Sequence, residues 1–252
     1  MAGLLFSTAT SHADWRDLLG IGKKTTGTAD ASSVALTALS QEQVAQGLKE
    51  ALAKGVQTAV SQLGRDGGFL TNLNVKIPMP QQLHKVETTL RTLKQDRLAD
   101  EFVATMNHAA EQAVPEAATV FSDAVKNMSL EDAKSILTGG DDAATKYFRR
   151  TTETNLQARF LPIVQSATAK AGVTESYKQL VSAGKQNKYL SALSSAYLDS
   201  ESLDIDRYVT DKALDGLFKV VAQEEKLIRA NPVARTSDLL QKVFGAATGA
   251  AK

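Results

Sequence analysis

The pairing in this chain closest to catalytic or metal-binding chemistry is His108 with Glu111. A spacing of i,i+3 puts both side chains on one helix face, as in the carboxylate-bridged metal sites of helical bundles. Those sites repeat a Glu-x-x-His on two helices, and no Glu-x-x-His occurs here, so a surface or capping role is the plainer expectation. The densest polar run is Asp142 to Thr152. On a helix Thr145, Arg149 and Thr152 share one side with Asp142 a turn earlier, which suits an anion, an inner carboxylate or simply a solvated face. Glu224, Glu225 and Arg229 pose the same choice. Glu225 and Arg229 form an ordinary i,i+4 pair worth about 0.2–0.5 kcal/mol, with Glu224 facing elsewhere.

Other constellations fail on inspection. Asp199, Glu201, Asp204 and Asp206 suggest a calcium loop, but Leu203 stands where an oxygen ligand belongs and the central glycine is missing. An acidic loop before a helix N-terminus accounts for them better. Gly20-Ile21-Gly22-Lys23-Lys24-Thr25 lacks the first glycine and the hydroxyl residue of a phosphate loop. There is no Gly-x-Ser-x-Gly, no His-Glu-x-x-His and no cysteine, so disulfides, thiolate metal sites and cysteine nucleophiles are excluded. No catalytic residue, metal or cofactor is assigned. The candidates for ligand contact are Gly47, Ala51, Gly55, Asn107, Glu111, Asp142, Thr145, Tyr147, Arg149 and Glu224.

The elements that must position these residues are helices. Gln41 to Leu63, Arg97 to Met128 and Asp206 to Arg229 each read as a long amphipathic helix. In the first, Val44, Leu48, Leu52, Val56 and Val60 form one ridge and Gly47, Ala51, Gly55 and Ala59 a second ridge of small residues. Glycine costs roughly 1 kcal/mol relative to alanine inside a helix, so the small ridge predicts a close approach, by another backbone or by a ligand. Alanines around Ala109, Ala110 and Ala113 offer a second thin wall. Gly64 ends the first helix. Pro78 and Pro80 then force an extended strap, with Val75, Ile77 and Met79 packed on the core, before a helix resumes near Gln81. Leu83, Val86, Leu90 and Leu93 continue at helical spacing. Pro115 should kink or break the second long helix, and Pro162 should kink another that starts near Ala143. Ser129 caps a short helix ending at Gly139-Gly140, and Asp141 or Asp142 can cap the next. Shorter helices near Glu175 to Ala183 and Tyr189 to Tyr197, and a final one after Ser237, complete an all-α, single elongated multi-helix domain with short connections.

With Lys+Arg at 29 against Asp+Glu at 28, the formal charge of +1 gives no field to attract nucleic acid. No apolar run reaches the roughly 20 residues of a membrane span. Leu4-Leu5-Phe6 followed by Ser11-His12-Ala13 has the form of a signal-peptide tail and cleavage site, which predicts a periplasmic mature protein; the alternative is a cytoplasmic protein with a frayed N-terminus. Residues 1–13 are thus read as a signal-peptide remnant, 14–40 as an anchor and flexible linker, 41–245 as the helical domain and 246–252 as a disordered tail.

Several runs taken in order resemble a family of bacterial proteins known only as a domain of unknown function. They are Gln46-Gly47-Leu48-Lys49-Glu50-Ala51-Leu52, Asp66-Gly67-Gly68-Phe69-Leu70, Lys76-Ile77-Pro78-Met79-Pro80, Met106-Asn107-His108-Ala109-Ala110-Glu111, Ala144-Thr145-Lys146-Tyr147-Phe148, Ala213-Leu214-Asp215-Gly216-Leu217-Phe218 and Glu224-Glu225-Lys226-Leu227-Ile228-Arg229. The resemblance spans Leu39 to Gly245 and implies a signal peptide, but no reaction, cofactor or catalytic residue. The resulting expectation is an exported helical binding or interaction protein that holds an apolar, lipid-like ligand between helices. Its rivals are an enzyme using Glu111, Asp142, Tyr147, Arg149 or Glu224, and a structural envelope protein acting by helix association.

Overall fold

The computed structural model describes residues 41–170 and 204–230. The expected leader, linker, glycine-lysine run, helices at 175–183 and 189–197, final helix and tail lie outside the described residues. Helix α1 spans Gln41–Leu63, α2 His84–Thr92, α3 Asp96–Ala113, α4 Ala117–Lys126, α5 Leu130–Thr138, α6 Ala143–Lys170 and α7 Ile205–Ala230, with 3-10 turns at Gln81–Leu83 and Val114–Glu116. No strand occurs among the described residues, and the fold is all-α.

Both ridges of α1 face inward. Leu48, Leu52, Val56 and Val60 are buried together with Gly47, Ala51, Gly55 and Ala59. The helix lies against α7, α4 and α5, while α6 packs along α7 on one side and α3 on another. Where these helices meet, Phe121 stacks edge-on against Phe148 and Phe218 at 5.2 and 6.0 Å. Each such pair adds about 0.5–1.5 kcal/mol beyond its buried area.

Local chemistry ends the helices where the sequence indicates. The Gly64 N–H closes α1 on the Val60 carbonyl at 2.8 Å. Pro115 replaces one long helix by a 3-10 turn between α3 and α4. Ser129 and Asp132 form a reciprocal capping box at the start of α5. Pro162, by contrast, sits inside a continuous α6. Asp204 caps α7, its Oδ1 accepting from the Arg207 N–H at 2.9 Å, so the helix-terminus reading of that acidic residue holds. Leu93 departs from the expected buried row and is 44% exposed. It stands just past the last residue of α2, as its C-cap, and the chain turns at the next residue, Lys94, whose φ of 58° is left-handed.

Between α1 and the Gln81–Leu83 turn runs the strap. Val75, Ile77 and Met79 are buried while Lys76 and Pro78 are exposed, the alternation of an extended segment. Gly67, with φ 76°, makes the tight turn that starts it. The α7 backbone lies directly on the strap at Gly216. A Cβ there would come within 2.6 Å of the Phe69 ring and 3.2 Å of Val75 Cβ.

Candidate functional site

Three buried polar side chains tie distant parts of the chain together. On α3, Asn107 and Glu111 are 0% and 3% exposed and both face the strap. Asn107 grips Ile77 from both sides: its Oδ1 accepts from the Ile77 N–H at 2.8 Å and its Nδ2 donates to the Ile77 carbonyl at 2.9 Å. The second amide hydrogen goes to the Val103 carbonyl at 2.8 Å. Glu111 Oε1 accepts from the backbone N–H groups of Phe69 and Leu70 at 2.9 and 3.0 Å, and its Oε2 pairs with His108 Nδ1 at 2.8 Å. An isolated carboxylate would be costly to bury, and these donors offset that cost. Backbone groups that the extended strap leaves without a ladder partner are thereby satisfied by side chains.

The third is Glu225 on α7, 4% exposed. It reaches the first turn of α6, where its oxygens accept from the Ala144 and Thr145 N–H groups at 2.9 and 2.8 Å and from the Thr145 hydroxyl at 2.7 Å. Free N–H groups and the helix dipole favour a negative charge at that place. Arg229, its side chain 10% exposed, completes the cradle through Glu225 Oε1 at 2.8 Å and also donates to the Ile136 carbonyl of α5 at 3.0 Å. The inner-carboxylate option for Thr145 is therefore the one adopted. Asp142 does not supply the cap. It is exposed and pairs with Lys146 at 2.9 Å, because the α6 amides already have a carboxylate from inside the fold.

The remaining candidates fall in separate places. Ala51 and Gly55 face α7, where a Cβ on Gly55 would meet Ile228 Cδ1 at 3.0 Å and Glu224 Cβ at 3.6 Å. Gly55 and Glu224 are thus brought together. Gly47 lies buried on the same ridge. The space enclosed by Leu48, Ala51, Leu52, Leu137, Ile228 and the Glu225–Arg229 pair is about 10 Å³, the room of a single water. At this contact the small ridge is filled by α7. Tyr147 donates its hydroxyl to the Ala124 carbonyl at 3.0 Å, and burial pushes its phenol pKa up. Arg149 lies 4.6 Å over the Phe218 ring and pairs with Glu153 and Asp215 at 2.8 and 3.4 Å. Among the described residues, Glu111, Asp142, Tyr147, Arg149 and Glu224 make no bond to one another. Nor do any three His, Asp or Glu side chains gather there in a metal-holding group.

Glu225 is more than one half of an ordinary i,i+4 pair with Arg229. Its signal was present: Leu217, Val221 and Glu225 follow one another at i,i+4, so the carboxylate continues a buried ridge. Leu73, outside any helical spacing, carries no such signal. That leucine is 90% exposed at the tip of the turn entering the strap. Backbone bonds close the turn beneath it, from Asn72 N–H to the Phe69 carbonyl and from Val75 and Lys76 N–H to the Asn72 carbonyl. Lys219 Nζ donates to the Asn74 carbonyl at 2.8 Å, and the Tyr208 hydroxyl donates to the Pro78 carbonyl at 3.1 Å.

No curated protein and no solved structure matches this chain. Residues 38–245 do match a family, and they take in every run that carried the resemblance. The chain belongs to the family described as protein of unknown function (DUF4197).

Proposed function

We propose that this chain is an exported binding or interaction protein that docks a partner through the turn carrying Leu73. One observation carries the reading: an almost fully exposed leucine stands on backbone held from both sides by buried side chains. Burying a leucine contributes about 1.5–3 kcal/mol, and a backbone fixed in advance loses little further entropy when the partner arrives. No helix of the described residues is long and apolar enough to cross a membrane.

The test is Leu73→Asp in the native organism. Wild-type protein in a mild extract should elute from a sizing column in an assembly larger than its 26.9 kDa. The variant should elute as the free chain with an unchanged unfolding midpoint. Co-elution of the variant with the wild-type assembly would reject docking through this turn.

A narrower form of the proposal adds an apolar or lipid-like ligand. The packing of Gly55 on Ile228 gives that ligand no seat at the small ridge, and mass spectrometry of an organic extract of the purified protein reads whether one is carried elsewhere. Export rests on Ser11-His12-Ala13. Mature protein from the periplasm should begin at Asp14, and an intact N-terminus in a cytoplasmic fraction would reject it.

A further inference from the structure

The hydrogen bonds of the two histidines among the described residues select opposite tautomers of the neutral rings. His84 Nε2 lies 2.9 Å from the Met79 carbonyl oxygen. A carbonyl only accepts, so in neutral His84 that nitrogen carries the hydrogen and Nδ1 the lone pair. In neutral His108 the roles are exchanged. Its Nδ1 lies 2.8 Å from Glu111 Oε2, and the other oxygen of that carboxylate already accepts two backbone N–H groups. An ionised carboxylate has no hydrogen to give, so Nδ1 is the donor and Nε2 holds the lone pair. The side chain of His108 is 46% exposed, whereas that of Glu111 is 4% exposed. Among the described residues nothing bonds to Nε2. A buried carboxylate thus orients a surface imidazole with its lone pair outward, the relation by which a base or nucleophile is set in hydrolytic triads.

We infer that His108 is a nucleophilic site on α3 that takes an acyl or phosphoryl group from a small activated donor at Nε2, with Glu111 as its positioning residue. In the transfer the Nε2 lone pair forms a bond to the carbonyl carbon or the phosphorus. The bond to the leaving group breaks and its electron pair departs with that group. No proton leaves the ring, because Nε2 carries none. The imidazole keeps its Nδ1 hydrogen and gains a positive charge, which the Glu111 carboxylate beside it balances. The same carboxylate holds Phe69 and Leu70. A group added at His108 therefore places bulk and charge beside the root of the Leu73 turn, although the chemistry itself does not depend on docking there.

Diethyl pyrocarbonate probes the acyl arm and potassium phosphoramidate the phosphoryl arm, each on the full chain, with peptide mapping by mass spectrometry and His84 as the internal reference. His108 should label about tenfold faster than His84 with at least one reagent, and the reagent that does so names the transferred group. Labelling of His108 no faster than His84 with both would overturn the inference. Glu111→Gln retains an oxygen for the Phe69 and Leu70 amides but turns an NH2 toward Nδ1, which moves the ring hydrogen to Nε2. His108 labelling should then fall by about tenfold while His84 is unaffected. An unchanged His108 rate would reject the role of Glu111. Nitrogen-15 NMR of the wild-type rings needs no variant: a His108 lone pair at Nε2 supports the inference, and a hydrogen there contradicts it.

Discussion

Replacing Glu225 by alanine strips the first turn of α6 of its carboxylate and takes the Glu225 side of a buried pair away from the guanidinium of Arg229, whose side chain is 10% exposed. Removing one member of a buried pair costs about 3–5 kcal/mol, so Glu225→Ala should lower the unfolding midpoint sharply. The vacated cradle still presents two backbone amides, a hydroxyl and the guanidinium. Formate should therefore restore part of the loss, where chloride at equal ionic strength does not; equal effects of the two salts would mean that the cradle collapses. The neighbouring Glu224 behaves oppositely. Burial pushes its carboxyl above the ordinary 4.5. A raised carboxyl pKa favours the protonated form in the fold, so its contribution is full below 4.5 and is lost as pH climbs through the raised value. Glu224→Gln should raise the midpoint at neutral pH and leave it unchanged well below 4.5, which thermal melts at the two pH values check. Asp132 has the other sign. Its pKa is lowered from 3.8, first by the Ser129 hydroxyl, so its contribution is present above 3.8 and is lost as pH falls through the lowered value.

At the scale of elements, two glycines set how closely α7 approaches α1 and the strap. Gly55→Leu forces a side chain into Ile228, where even a Cβ sits at 3.0 Å, and overpacking of this kind costs roughly 1–3 kcal/mol against a helical gain of up to about 1. Gly216→Ala is the more sensitive probe. Its methyl would lie 2.6 Å from the ring of Phe69, which is 0% exposed and has no room to yield, so the midpoint should fall despite the better helix former. An unchanged or raised midpoint in either variant would show that the contact is looser than described. Much of this level was legible in the sequence. The two ridges of α1, the break at Pro115, the cap at Ser129 and the alternating burial of the strap all follow from spacing and backbone restriction. Polar residues on apolar ridges, Asn107 and Glu111 after Val103 and Glu225 after Val221, marked the clamps in the same way. What spacing could not give was the partner. Glu225 meets Ala144 across 81 residues, and Asn107 meets Ile77 across 30. Helical periodicity tells which face is buried but not what lies against it.

For the whole molecule, the runs that carried the family resemblance meet one another. Phe69 and Leu70 hang on Glu111, Ile77 on Asn107, Gly216 closes on Phe69, and Ala144 with Thr145 receives Glu225. Asn107, Glu111, Gly216 and Glu225 of those runs fasten the fold, and the Leu73 turn and the His108 imidazole are left facing outward. That arrangement explains why candidate sites picked from sequence dispersed: Arg149, Tyr147 and Asp142 each serve a local contact. Held by these buried side chains, the strap should be as rigid as the helices around it. Hydrogen exchange at the Phe69, Leu70 and Ile77 amides tests this most directly. Bonded to Glu111 and Asn107, they should exchange as slowly as the core amides of α3, opening only with the rest of the domain. Exchange at the rate of exposed turn amides would show that the strap opens on its own, and would contradict the account.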